Sequence, residues 1–95
     1  MSIIVDPLTQ YPNAWGKFRR GSCHMSSTES EAELHAFAKQ VGLKRSWFQP
    51  GRHPHYDLTP GRRAAAVKAG AKEVRLRDML TLHYAAKARA SDSDK

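Results

Sequence analysis

The stretch His55-Tyr56-Asp57-Leu58-Thr59-Pro60 leads a short extended piece directly into a helix. Thr59 is suited to the N-cap. Pro60 suits the first helical position, where its fixed φ is preset and its missing N–H is not needed. The helix expected from this start covers 60–69 and stops at Gly70, and its alanines let neighbouring backbones approach closely. Downstream, Lys72 to Leu76 reads as a strand (72–76), and Arg77 or Asp78 opens a helix over 77–88. Upstream, Trp47-Phe48-Gln49 reads as strand-like (46–49) before a turn at Pro50-Gly51. Leu34, Phe37, Ala38 and Val41 fall at i, i+3, i+4 and i+7 and predict an amphipathic helix over 30–41. Ser27, Thr28 or Ser30 can cap it, and Gly42 ends it. The β-branched Ile3-Ile4-Val5 reads as a buried strand (3–6) stopped at Asp6-Pro7.

Strands alternating with helices predict a single small α/β domain over residues 1–90. It would have about three short strands (3–6, 46–49 or 55–58, 72–76) packed with three helices (30–41, 60–69, 77–88). Residues 8–27 are expected to form a long loop in which Tyr11, Trp15 and Phe18 sit among Lys17, Arg19 and Arg20. Residues 91–95 read as a disordered polar tail.

A chain of 95 residues has room for one modest core. It carries no apolar run of the ~20 residues a bilayer requires and no secretory pattern at its N-terminus, so a cytoplasmic location and no membrane partner are expected. A lone Cys23 forms no internal disulfide, and a small residue held reduced is favoured over a reactive thiol beside His24. The net charge is +7, and between Pro60 and Arg89 the only acids are Glu73 and Asp78. Such an excess suits nucleic acid, a nucleotide or an acidic protein, and equally a solvated surface.

Several polar residues stand out. His35 lies at the edge of the apolar stripe of its helix, with Glu31 and Lys39 one turn away. It is either an imidazole oriented towards a cleft or one rung of a surface ladder. The Thr59-Pro60 helix start offers free N–H groups to an anion, which His55 and Thr59 could supplement. Asp57 would oppose an anion; it suits orienting a histidine, pairing an arginine, acting as a base or capping the helix. Arg63 falls beside the packing face of its helix and needs a carboxylate or an anionic ligand, with Asp6 and Asp57 as candidates. His53 and His55 would point the same way in an extended segment, but no ligand set of recognised spacing completes a metal site, so neither metal nor cofactor is expected. His83 falls on the apolar stripe of the last helix and reads as packing.

Ser22-Cys23-His24-Met25, Glu33-Leu34-His35-Ala36-Phe37-Ala38, Trp47-Phe48-Gln49, His55-Tyr56-Asp57-Leu58 and Arg63-Ala64-Ala65-Ala66-Val67 with Gly70-Ala71 together resemble a bacterial and phage family, the domain of unknown function 4031. The resemblance runs from the end of the first strand to about Val74. It implies small stand-alone proteins, often phage-borne, and no known activity. Its pattern includes Asp6, His24, His35, His55, Tyr56, Asp57 and Arg63 and omits His53 and His83. Its loop after the first strand is shorter, so roles for Trp15 or Phe18 would not transfer.

The expected function is binding of a phosphate-bearing ligand, nucleic acid or nucleotide, at a pocket formed by Asp6, His24, His35, His55, Tyr56, Thr59 and Arg63. One alternative is a metal-independent hydrolase or nuclease in which His24, His35, His55 and Asp57 perform acid–base chemistry. Another is an accessory protein that binds a host protein.

Overall fold

The computed structural model describes residues 2–10 and 16–86. Five strands form one mixed sheet: β1 (Ile3–Val5), β2 (Cys23–Ser27), β3 (Phe48–Gln49), β4 (His55–Leu58) and β5 (Lys72–Glu73). Their spatial order is β3-β4-β2-β1-β5. Only β1 and β5 run parallel; the other pairs are antiparallel. Three α-helices accompany them: α1 (Glu31–Gln40), α2 (Pro60–Lys68) and α3 (Leu76–Leu82).

The register sorts the side chains by face, because residues directly opposite across a ladder project to the same side. Met25 stands opposite Tyr56 and Cys23 opposite Leu58, while Val5 stands opposite Met25. These residues pack with Leu34 and Ala38 of α1 and Ala66 of α2 into the main core. The intervening residues face the other way: His24 opposite Asp57, Ile4 opposite Ser26, and His55 two residues before Asp57. α3 covers part of this second face through the buried Met79 and His83.

The helix ends follow local chemistry. The Ser30 Oγ accepts the Glu33 N–H at 3.0 Å and caps α1, a contact typically worth about 1 kcal/mol. The Thr59 Oγ accepts the Arg62 N–H and caps α2, with Pro60 at the first turn. Gly42 has φ 84°, the left-handed value expected after α1.

The class is α/β as expected, but three strands become five. The 46–49 and 55–58 segments are both strands, paired with each other at Phe48–Tyr56 and Gln49–His55. The expected loop over 8–27 contains β2, which lies between β4 and β1. Cys-His-Met-Ser-Ser carries almost no strand propensity, and its two neighbouring strands impose the extended form. Thr9 also bridges Ser22, and Gly16–Phe18 forms a 3-10 turn. Tyr11 and Trp15 lie outside the described residues, as do residues 87–95 and the expected tail. The last strand shortens from 72–76 to Lys72–Glu73, and the helix expected over 77–88 is interrupted at His83, whose backbone is extended, with residues 84–86 helical again beyond it.

Candidate functional site

The carboxyl ends of β1 and β4 meet the start of β2, and polar side chains gather there. Asp6, just past β1, is 1% exposed. Its Oδ1 accepts the His24 backbone N–H at 2.7 Å, and its Oδ2 accepts the Nδ1–H of the same residue at 2.6 Å. A carboxylate is an acceptor, so this contact fixes the His24 tautomer and leaves Nε2 as a lone pair. The backbone of Asp6 is equally fixed: its N–H donates to the His24 carbonyl and its own carbonyl accepts Nε–H of Arg63 at 2.9 Å.

His55 repeats the arrangement. Its Nδ1–H donates to the His53 carbonyl, which again leaves Nε2 as the acceptor. That Nε2 lies 3.3 Å from Oδ1 of Asp57. The two imidazoles stand edge-on, with ring centroids 4.8 Å apart. One ligand atom from each of His24, His55 and Asp57 falls within a 4.8 Å cluster.

This geometry places acceptors against acceptors. A neutral His55 turns a lone pair towards a carboxylate oxygen, which is repulsive unless a positive charge lies between them. One solution is a proton. Burial pushes the His55 pKa down, but the Asp57 hydrogen bond, the His53 carbonyl and the nearby Asp57 and Asp6 charges outweigh it, and the net shift is upward from 6.5. The His55 hydrogen bond correspondingly holds Asp57 below its ordinary 3.8 against the opposing effect of burial. The other solution is a metal cation. Two imidazole nitrogens and a carboxylate oxygen form the donor set of many catalytic zinc sites. Ligating histidines almost always donate their second ring N–H to a carboxylate or a carbonyl, as His24 and His55 do here. Metal bonds of ~2.0–2.2 Å would draw the donors together by ~1 Å, a movement within reach of the partly exposed Asp57.

Beside the histidines opens a cavity of about 180 Å³ walled by Pro54, Leu76, Met79 and Leu80. Leu76 and Leu80 line it half-exposed. His83 is buried as expected, its Nδ1 accepting the Ala86 N–H and its Nε2–H donating to Nδ1 of His53 at 3.2 Å. His53 therefore faces His83, and the His53–His55 pair is not a ligand pair.

The remaining candidates lie elsewhere. On the opposite face of the sheet, Nε2–H of His35 donates to Glu31 at 2.9 Å and its Nδ1 accepts the Tyr56 hydroxyl at 2.7 Å, with Phe48 against the ring. His35 and Tyr56 thus tie α1 to β4, apart from His24 and His55. Thr59 is a helix cap. Arg63 spans the Asp6 carbonyl and Glu73, to which its Nη1 donates at 2.9 Å. The expected pocket thus divides: Asp6, His24, His55 and Asp57 converge, while His35, Tyr56, Thr59 and Arg63 hold the frame.

Cys23 is 1% exposed. Burial, reinforced by the Asp6 charge, pushes its thiol up to about 12. It should resist an aromatic disulfide reagent in the native protein at neutral pH and react fully once unfolded; rapid native labelling would contradict the buried placement.

Fold and site define a small mixed-sheet α/β protein with a histidine–carboxylate cluster on one face of the sheet, across β2, β4 and the end of β1. The chain belongs to the family described as proteins of unknown function (DUF4031), whose model matches residues 3–86. No curated protein and no solved structure matches it. Among the described residues, no helix is long and apolar enough to cross a membrane.

Proposed function

We propose that His24, His55 and Asp57 bind a divalent metal cation, and that the centre hydrolyses a phosphate ester. The observation that carries this reading is the matched anchoring of the two imidazoles, each tied through Nδ1 to an acceptor, with Nε2 of His55 3.3 Å from Asp57 and one ligand atom each of His24, His55 and Asp57 within 4.8 Å of one another. Three protein ligands leave coordination positions open for water and a phosphoryl oxygen. A bound cation would lower the pKa of that water and withdraw charge from the phosphorus. It would also reconcile the site with an anionic substrate, which would otherwise meet Asp57 and Asp6 while Arg63 is engaged elsewhere. The net charge of +7 favours such a substrate over a cationic one. The apolar cavity beside the histidines would limit water to the reacting side.

Calorimetric titration of metal-stripped protein with zinc, manganese, cobalt or iron(II) tests this, since the same donors accept several first-row ions. One ion should bind per chain. His24→Ala, His55→Ala and Asp57→Ala should each weaken binding by more than the ~10–100-fold typical of losing an outer-shell partner, while His35→Ala should leave it unchanged. Affinity should fall as pH is lowered, because imidazole must be neutral to ligate. With the His55 pKa raised, proton competition begins above pH 6.5. Absence of saturable binding would sink the metal centre. The raised His55 would then favour the proton-bridged alternative, with His55 as general acid and the His24–Asp6 pair as base; metal-free cleavage of a phosphodiester would identify it.

A further inference from the structure

A second cleft, of about 300 Å³, adjoins the same cluster and is lined by Phe18, Ser46, Trp47, Gln49 and Asp57. Its volume lies at the lower end of the ~300–1,000 Å³ of small-molecule sites. Asp57 is common to this cleft and to the histidine cluster, so a group seated here would lie beside the proposed cation. We infer that the cleft receives an unpaired nucleobase, which makes the substrate of the centre a single-stranded nucleic acid or a nucleotide.

Three features support this occupant. Phe18 and Trp47 present aromatic surface from two different segments, the 3-10 turn after β1 and the turn leading into β3, and a planar heterocycle stacks on such surface whatever its identity. The exposed Gln49 amide offers both a donor and an acceptor to the edge of a base. The site is cationic: Lys44 Nζ and the Arg62 guanidinium lie over the Trp47 ring, 5.7 Å and 5.8 Å from its centroid, so a base shares that ring with them. Arg62 is already held at one side by the Val41 and Gly42 carbonyls. These cations fit a phosphodiester backbone passing the cleft and oppose a cationic ligand such as the methylated lysine that an aromatic cage takes. A base seated in the cleft would lie beside Asp57, the residue the cleft shares with the proposed cation site. The role assigned to the cleft rests on the metal-centre reading, whereas its base preference can be measured separately.

The test compares a fluorescent single-stranded oligothymidylate with an all-abasic oligomer of the same length, by anisotropy, with chelator present. The wild type should bind the base-bearing strand about tenfold more tightly, within the range for loss of one stacked base. Phe18→Ala and Gln49→Ala should each reduce that preference; neither residue belongs to the main core, and thermal unfolding checks that both variants fold. Equal binding of the two oligomers overturns the inference, as does a preference that survives both substitutions. Repeating the comparison in His24→Ala separates the two ideas. Base preference without metal binding removes the centre and keeps the cleft, whereas metal binding without base preference removes the cleft alone.

Discussion

Asp6→Asn should leave the protein folded and remove most of its metal affinity. The asparagine amide must present its oxygen to one of the two His24 nitrogens and its NH₂ to the other. The backbone N–H of His24 is a fixed donor, so the oxygen faces it and the NH₂ faces the ring. The imidazole then accepts at Nδ1 and carries its proton on Nε2, the nitrogen that must offer a lone pair to the cation. Both contacts survive in altered form, so the loss of stability should stay near 1 kcal/mol. Metal affinity should fall by ~10–100-fold. Asp6→Ala behaves differently. It strands the two His24 donors now satisfied at 2.7 and 2.6 Å, and unsatisfied buried donors cost ~1–3 kcal/mol each, so a destabilisation of ~2–6 kcal/mol is expected. Urea unfolding measures the stability, and nitrogen NMR of the imidazole reports which ring nitrogen is protonated. Full metal affinity in Asp6→Asn would mean that the Asp6–His24 contact does not govern the ligand.

Much of the frame is legible in the chain, for reasons that are local. The Leu34, Phe37, Ala38 and Val41 stripe, the Thr59-Pro60 start and the Gly42 stop are each decided within one turn of helix, and the structure holds them where periodicity and capping chemistry place them. β2 is not legible because nothing within Cys-His-Met-Ser-Ser favours extension. Its form comes from partners more than a dozen residues away in sequence on both sides. The site shows the same contrast. His24, His55, Asp57 and Asp6 could be singled out as polar residues beside element ends. Their convergence depends on β2 lying between β1 and β4, which no local pattern announces. His53-x-His55 invited a metal reading because its spacing is visible. The actual ligand cluster spans two strands, β2 and β4, and His53 contributes only its carbonyl. Helical position describes His35 on its helix and not the face of the sheet that helix covers, so its separation from the others is not legible; Tyr56, adjacent to both His55 and Asp57, points away from them because strand neighbours alternate.

Arg63→Met separates two roles that the sequence leaves open, a brace within the fold and an arginine that holds a phosphate. The side chain is 16% exposed, and methionine keeps most of its apolar volume while removing the guanidinium. As a brace, Arg63 donates a charge-assisted bond to the Asp6 carbonyl, whose loss should cost about 2 kcal/mol. The Glu73 contact adds little, because its carboxylate is 60% exposed and solvent screens the pair. The expected result is therefore a lower unfolding midpoint together with an unchanged salt dependence of oligonucleotide binding. An arginine that neutralised a phosphate would behave in the opposite way. Its removal would reduce the slope of log affinity against log salt by about one unit with little effect on stability. The brace also has a consequence at the site: the Asp6 backbone it holds positions the carboxylate that fixes His24. Arg63→Met should thus weaken metal binding modestly, by less than Asp6→Asn, and through loosened geometry instead of a changed tautomer. A variant with full stability and a reduced salt slope would return Arg63 to the ligand.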